Sequence, residues 1–139
     1  MTTPQSSFEA NDPRRMRGHL LKLRDLAWEH SITSVVVGMG GFESDPLFPE
    51  IVDFVESALR VDDALMRLTR ERTVLFLADA DQPRAEAIMG RILVDFRERF
   101  PAVAEPAVSL GYFEVTPELQ DVSVKKVLPA VFAAPPGTH

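Results

Sequence analysis

The feature that most constrains the fold is a short run of β-branched residues that is followed at once by glycines. Residues Ile32 to Val37 read Ile-Thr-Ser-Val-Val-Val, and the run stops at Gly38-Met39-Gly40-Gly41. A run this apolar and this short predicts a fully buried strand, and the glycines predict a flexible turn after Val37. The segments on either side then decide which kind of sheet this strand joins.

Three other segments repeat apolar residues at helical spacing. The first follows an Asp-Pro start at Pro13 and ends near His30, the second lies between Pro46 and Arg60, and the third must stop soon before Pro101. Each repeat forms one apolar stripe, which is typical of a helix with one buried face. The stripes are Met16, Leu20, Leu23 and Ala27; Leu47, Phe48, Ile51, Val52, Val55, Ala58 and Leu59; and Ala85, Ile88, Met89, Ile92, Leu93 and Phe96.

The remaining patterns complete an α+β plan. Ala64–Leu68 and Thr73–Ala78 are strand-like runs separated only by Thr-Arg-Glu-Arg, which predicts a hairpin. Ala107–Val115 alternates as a last strand does, and Val122–Phe132 fits either a short helix or irregular packing. This order is the ferredoxin-like, or split βαβ, fold, with a central antiparallel hairpin and helices on one face of the sheet.

Length and charge limit the domain count and the ligands. A chain of 139 residues fits one domain, which we place at Pro13 to Phe132 between flexible tails at residues 1–12 and 133–139. The net charge of -6 gives no general attraction for nucleic acid or for a membrane surface, so neither is an expected partner. The absence of cysteine and of a long apolar run suggests a cytoplasmic protein.

Several local motifs, in this order and spacing, resemble those of GGDEF (diguanylate cyclase) domains. Residues 35–42 resemble a first-strand motif that ends in Asp-x-Asp-x-Phe, with Gly38 and Gly40 at the two aspartate positions. Asp45 matches the acid of the Gly-Asp pair that begins the next helix, and residues 107–112 resemble Val-Ser-Ile-Gly-Val. The resemblance implies a shortened palm-type domain, because the Phe-Lys-x-Ile-Asn-Asp stretch and the closing Ala-Asp-x-Ala-Leu-Tyr-x-Ala-Lys helix are not recognisable.

The hairpin carries a degenerate form of the family's signature loop. Residues 67–77 resemble Arg-Tyr-Gly-Gly-Asp-Glu-Phe followed by an apolar strand, and only Glu71 keeps the expected charge. The loss of both glycines disfavours a tight turn with positive φ. The degenerate signature loop consists of Thr69, Arg70, Glu71, Arg72 and Thr73.

Catalysis is expected to be absent. The resemblance implies a reaction that joins two GTP molecules on divalent metal ions, which carboxylates hold. Gly38 offers no carboxylate, and Arg70 and Arg72 place positive charge beside Glu71, which repels a cation. We therefore predict no enzyme activity, no catalytic residue, no metal and no cofactor. Arg70 and Arg72 are then either solvated or bind a nucleotide phosphate without metal.

A second family motif is kept at its family spacing. Arg60-Val61-Asp62-Asp63 resembles the Arg-x-x-Asp site at which many family members bind their product, cyclic di-GMP. The resemblance implies that Arg60 and Asp63 contact guanine, that Arg91 adds a third contact, and that the ligand bridges two copies of the chain. One alternative is that the motif is a relic that no longer binds ligand. The others are structural: a cation at a helix end, an aspartate in a turn, and an ion pair of Arg91 with Asp95.

Two functions of different class remain. The first is a catalytically inactive regulator that binds cyclic di-GMP through Arg60 and Asp63. The second is a pseudoenzyme that acts as a protein-interaction or dimerisation module without nucleotide, with an unidentified protein partner. Residual nucleotide hydrolysis is a third interpretation, and it needs a metal or a base that Asp45 and Glu71 alone do not supply.

Overall fold

The computed structural model describes residues 10–101 and 107–133. Most of the two predicted tails, residues 1–9 and 134–139, therefore lies outside the described residues. The predicted order of elements is confirmed. The segment Val122–Phe132, for which the sequence allowed either a short helix or irregular packing, contains a helix. The elements are α1 (Arg14–His30), β1 (Ser34–Gly40), α2 (Leu47–Ser57), β2 (Ala64–Thr69), β3 (Arg72–Leu77), α3 (Gln82–Arg99), β4 (Ser109–Val115) and α4 (Val124–Val131).

The strands form one antiparallel sheet in the order β2-β3-β1-β4. This is the predicted ferredoxin-like arrangement, in which the β2–β3 hairpin places β3 beside β1 at the centre and leaves β2 at an edge. Among residues 10–101 and 107–133, no helix is both long and apolar enough to span a membrane.

Helices cover both faces of the sheet, so the prediction of helices on one face was wrong. Val35 and Val37 pack against α2 and α3, whereas Val36 packs with residues of α1 and α4. All three valines have 0% exposure. Successive side chains of a strand point to opposite faces, so a run of three buried valines requires a helical layer on each side.

Strand β1 continues through the glycines, so the predicted flexible turn after Val37 was wrong. Gly38 pairs with Gly111 of β4, and Gly40 pairs with Ser109. A Cβ on Gly40 would lie 2.7 Å from the Oγ of Ser109. These glycines serve close packing within a regular strand, because a side chain at either position would displace the atoms packed against it.

Local signals explain where the longest helix begins and ends. The carboxylate of Asp81 accepts a hydrogen bond from the N–H of Arg84 at 3.0 Å, and Pro83 occupies the first turn of α3. The helix ends at Arg99, shortly before Pro101, as predicted. Its predicted outer residues Arg91 and Asp95 are exposed, so the apolar stripe correctly identified the buried face.

Candidate functional site

The position expected for a metal-binding carboxylate is filled by packing. Gly38 and Gly111 lie side by side on β1 and β4, and the end of α4 rests on both. A Cβ on Gly38 would lie 2.5 Å from the carbonyl oxygen of Val131 and 2.7 Å from its Cβ, and a Cβ on Gly111 would overlap the same carbonyl. An aspartate at position 38 therefore has no space unless α4 moves.

The signature loop is a two-residue turn, Arg70-Glu71, between β2 and β3. Neither residue has a positive φ, and the pairing of β2 with β3 shifts register between Arg67 and Thr69. The hydroxyl of Thr69 accepts a hydrogen bond from the N–H of Glu71 at 3.2 Å. The turn is thus formed without positive φ, as the loss of both glycines predicted, and a register shift accompanies it.

The last residue of the turn region is tied to the C-terminal helix. The guanidinium of Arg72 lies over the ring of Phe132, with Cζ 5.0 Å from the ring centroid. An arginine in this position interacts with the negative face of the ring. Arg72 is exposed, as the solvated interpretation of the sequence supposed, and its guanidinium also contacts this ring.

The two remaining acids of the predicted active cleft line one small cavity. Asp45 and Glu71 border a space of about 240 Å³ together with Ser44, Pro46, Pro49 and Arg70. The carboxylate of Asp45 already accepts a hydrogen bond from the N–H of Leu47 at 2.9 Å, which caps the first turn of α2. Within the described part of the chain, no group of three or more His, Asp or Glu side chains is placed to hold a metal ion.

Arg60 and Asp63 lie at the opposite end of the sheet and form a closed pair. The Nε and Nη2 atoms of Arg60 donate to the two carboxylate oxygens of Asp63 at 3.1 and 3.0 Å, and the Arg60 main-chain N–H donates at 3.1 Å. The N–H of Ala78 donates to the same carboxylate at 3.1 Å, and Arg60 also donates to the carbonyl of Ala78. The pair therefore ties the α2–β2 loop to the end of β3.

Burial and charge differ sharply within this pair. The side chain of Asp63 is 3% exposed, whereas that of Arg60 is 47% exposed. The hydrogen bond with Asp63 raises the pKa of Arg60; desolvation opposes this shift, and the charges of Asp63, Asp79 and Asp62 reinforce it. Three carboxylates therefore lie near one accessible guanidinium, and the net local charge is negative. An anionic ligand is attracted here only if it contacts Arg60 directly.

The third predicted ligand residue is not part of this pair. Arg91 is exposed on α3, and within the described part of the chain no hydrogen bond or ion pair joins it to Arg60 or Asp63. The structural alternative is not formed either, since the ion pairs of the described residues include none between Arg91 and Asp95. The structure thus brings together two of the three predicted site residues.

The alternative that Arg60 is a cation at a helix end is not what the structure shows, because Arg60 lies in the turn beyond α2.

One charged cluster was missed by sequence reasoning. Nη2 of Arg67 on β2 donates to Asp53 at 2.7 Å and to Glu56 at 2.9 Å, both on the exposed face of α2. The hydrogen bond with Glu56, and then that with Asp53, raises the pKa of Arg67 against desolvation. The sequence did contain a signal for this cluster: an arginine within an apolar strand, and two acids spaced one helical turn apart on the preceding helix.

Comparison with known proteins identifies the fold. No family model and no curated protein matches the sequence. A solved structure of PelD (158-CT) from Pseudomonas aeruginosa superposes with a TM-score of 0.69 at 16% identity, covering 91% of this chain and 47% of that one. PelD 156-455 in complex with c-di-GMP gives 0.68 at 17% identity, covering 88% and 45%. This chain therefore spans less than half of the PelD chains.

A GGDEF domain on its own matches over nearly its full length. The GGDEF domain of YfiN from Pseudomonas aeruginosa superposes with a TM-score of 0.66 at 15% identity, covering 94% of each chain. At such low identity these likenesses carry the fold and nothing finer. The chain has the fold of GGDEF domains, as the motifs in its sequence predicted.

Proposed function

We propose that this chain is a non-catalytic regulatory domain that binds cyclic di-GMP through Arg60, with Asp63 holding the arginine in place. The observation that carries the proposal is the bidentate Arg60–Asp63 pair, which joins the two motif residues and leaves 47% of the arginine side chain exposed. The similarity in fold to PelD, whose structure was solved in complex with c-di-GMP, supports the same ligand class.

The hydrogen bonds of the pair suggest a division of roles. The carboxylate of Asp63 accepts four hydrogen bonds, from three atoms of Arg60 and from the N–H of Ala78, and it is almost completely buried. It is therefore a positioning residue, and it does not accept from guanine as the motif implied. Nε and Nη2 of Arg60 already donate to Asp63 and Ala78, which leaves the N–H groups of Nη1 for a guanine acceptor or for a phosphate oxygen.

The absence of catalysis is part of the proposal. The space at Gly38 is taken by Val131, Asp45 caps α2, and Arg72 lies on Phe132. A two-metal reaction on triphosphates needs carboxylates that converge on open space. The geometry at this end of the sheet supports a regulatory role over a synthetic one, and we expect no cyclic di-GMP from GTP and Mg²⁺.

Calorimetry with cyclic di-GMP tests the proposal. The wild-type chain should bind, and Arg60→Ala should weaken binding by about tenfold or more, because a hydrogen bond from a charged donor contributes about 1.5 to 3 kcal/mol. Asp62→Asn should tighten binding, since it removes a negative charge near Arg60. Arg14→Ala is the matched control, because Arg14, at the start of α1, also pairs with an aspartate, Asp12.

Absence of heat with wild-type protein, or equal binding by Arg60→Ala, would overturn the proposal. The second candidate, a protein-interaction module without nucleotide, is favoured by the three carboxylates around Arg60, which repel a doubly charged ligand. It predicts no binding of any guanine nucleotide, and Arg60→Ala would then alter stability alone.

A further inference from the structure

The two edges of the sheet are protected to different degrees. On β2, the main-chain N–H of Arg67 donates to the side-chain oxygen of Asn11 at 2.7 Å, and the Arg67 carbonyl accepts from the N–H of Asn11 at 2.9 Å. The register shift between Arg67 and Thr69 also interrupts the regular strand. Covered main-chain groups and irregular pairing are features that prevent an edge strand from pairing with another chain.

Among the described residues, the β4 edge has neither protection. All residues of Ser109–Val115 pair with Ser34–Gly40 of β1 in one unbroken register. No described residue outside β1 makes a hydrogen bond to a main-chain group of β4. A regular antiparallel strand of 7 residues thus presents main-chain donors and acceptors along its outer edge, which another strand satisfies best.

The side chains of β4 do not oppose pairing. Leu110, Tyr112 and Phe113 are partly exposed, and the strand contains no lysine, arginine or proline. The one charged residue, Glu114, accepts a hydrogen bond from the N–H of Gln82 at 2.7 Å, so its charge is partly engaged. Edges that must stay free usually carry lysine, proline or a bulge, and this edge carries none of them.

We infer that β4 pairs antiparallel with β4 of a second copy, across a two-fold axis at Tyr112, and joins two four-stranded sheets into one of eight strands. A strand paired with itself in this way is an isologous interface, the commonest kind in homodimers. The register sets Glu114 opposite Leu110 of the second copy, so no two like charges face each other directly. This pairing needs no nucleotide and does not depend on Arg60.

Sedimentation equilibrium without nucleotide tests the inference over a wide protein concentration range. Wild-type protein and Tyr112→Phe should form dimers. Tyr112→Lys and Tyr112→Glu each place like charges across the axis, and each should weaken dimerisation by about tenfold or more. An equimolar mixture of these two variants should restore dimers, because unlike charges then face each other.

A second measurement keeps the inference falsifiable if the charged variants do not fold. Hydrogen exchange on wild-type protein should show that β4 amides gain protection as concentration rises, while β2 amides do not. A monomer at every concentration, or a dimer that tolerates both Tyr112 charges, would overturn the inference. Because no cyclic di-GMP is present, this failure is separate from failure of the proposed binding site.

Discussion

The two ends of the central strands β1 and β3 carry the two predicted sites, and the structure treats them differently. At the end where β1 passes through Gly38, a helix covers the glycines and the turn residue Arg72 packs on a ring. At the other end, Arg60 and Asp63 form a charged pair against Ala78. A fold can therefore fill a potential catalytic position with packed side chains while the rest of the sheet keeps its geometry.

The largest expected effect is that of restoring the carboxylate. Gly38→Asp forces a side chain into the space of Val131 and buries a charge without a partner, so we expect a loss of about 3 to 5 kcal/mol in the free energy of unfolding. Urea denaturation measures it. Gly90→Ala on α3 is the control, because a Cβ there has no atom within 4 Å and alanine should stabilise the helix by about 0.5 to 1 kcal/mol.

A stable Gly38→Asp variant that binds Mg²⁺ would contradict the difference described between the two ends of the sheet. It would mean that α4 moves aside easily and that the first end of the sheet is a suppressed metal site. A destabilised variant with no metal affinity is the expected result, and it would support the view that α4 is an integral part of the core.

The sequence predicted the elements well because its signals are local. Helical spacing and β-branched runs depend on neighbouring residues, and all eight elements lie where these patterns predict them or where a helix was left open. The same signals do not report which layer covers which face. Val36 faces α1 and α4, and only the packing of α4, near the end of the chain, makes the second layer complete.

The candidate site shows the same limit. Arg60 and Asp63 are three residues apart in a turn, so their contact follows from local geometry and was predictable. The position of Arg91 relative to that turn depends on how far α3 is rotated and displaced from it. No short sequence pattern encodes this arrangement. The packing of Val131 onto Gly38 is likewise a long-range contact. The glycines of β1 were interpreted as a sign of flexibility, whereas they are needed because Val131 approaches the strand closely.

The second prediction concerns the retained pair. Asp63→Ala removes the acceptor for Arg60 and for the N–H of Ala78 in a nearly buried position, so we expect a loss of about 2 to 3 kcal/mol. Asp12→Ala removes the exposed partner of Arg14 and should cost clearly less. Denaturation curves of the two variants compare them directly, and equal losses would show that the Asp63 pair is not a structural tie.

The smallest effect is expected on α1, where the ring of His19 stacks on Phe76 with centroids 4.8 Å apart. Burial, and then the charges of Arg15 and Lys22, lower the pKa of His19 below its ordinary value of 6.5. The folded state then binds fewer protons than the unfolded state below pH 6.5, so stability should fall as the pH drops through that range. Urea midpoints at pH 7.5 and pH 5 measure this loss, which His19→Gln should reduce and which the exposed control His30→Gln should leave intact. An acid sensitivity unchanged by His19→Gln would contradict this assignment.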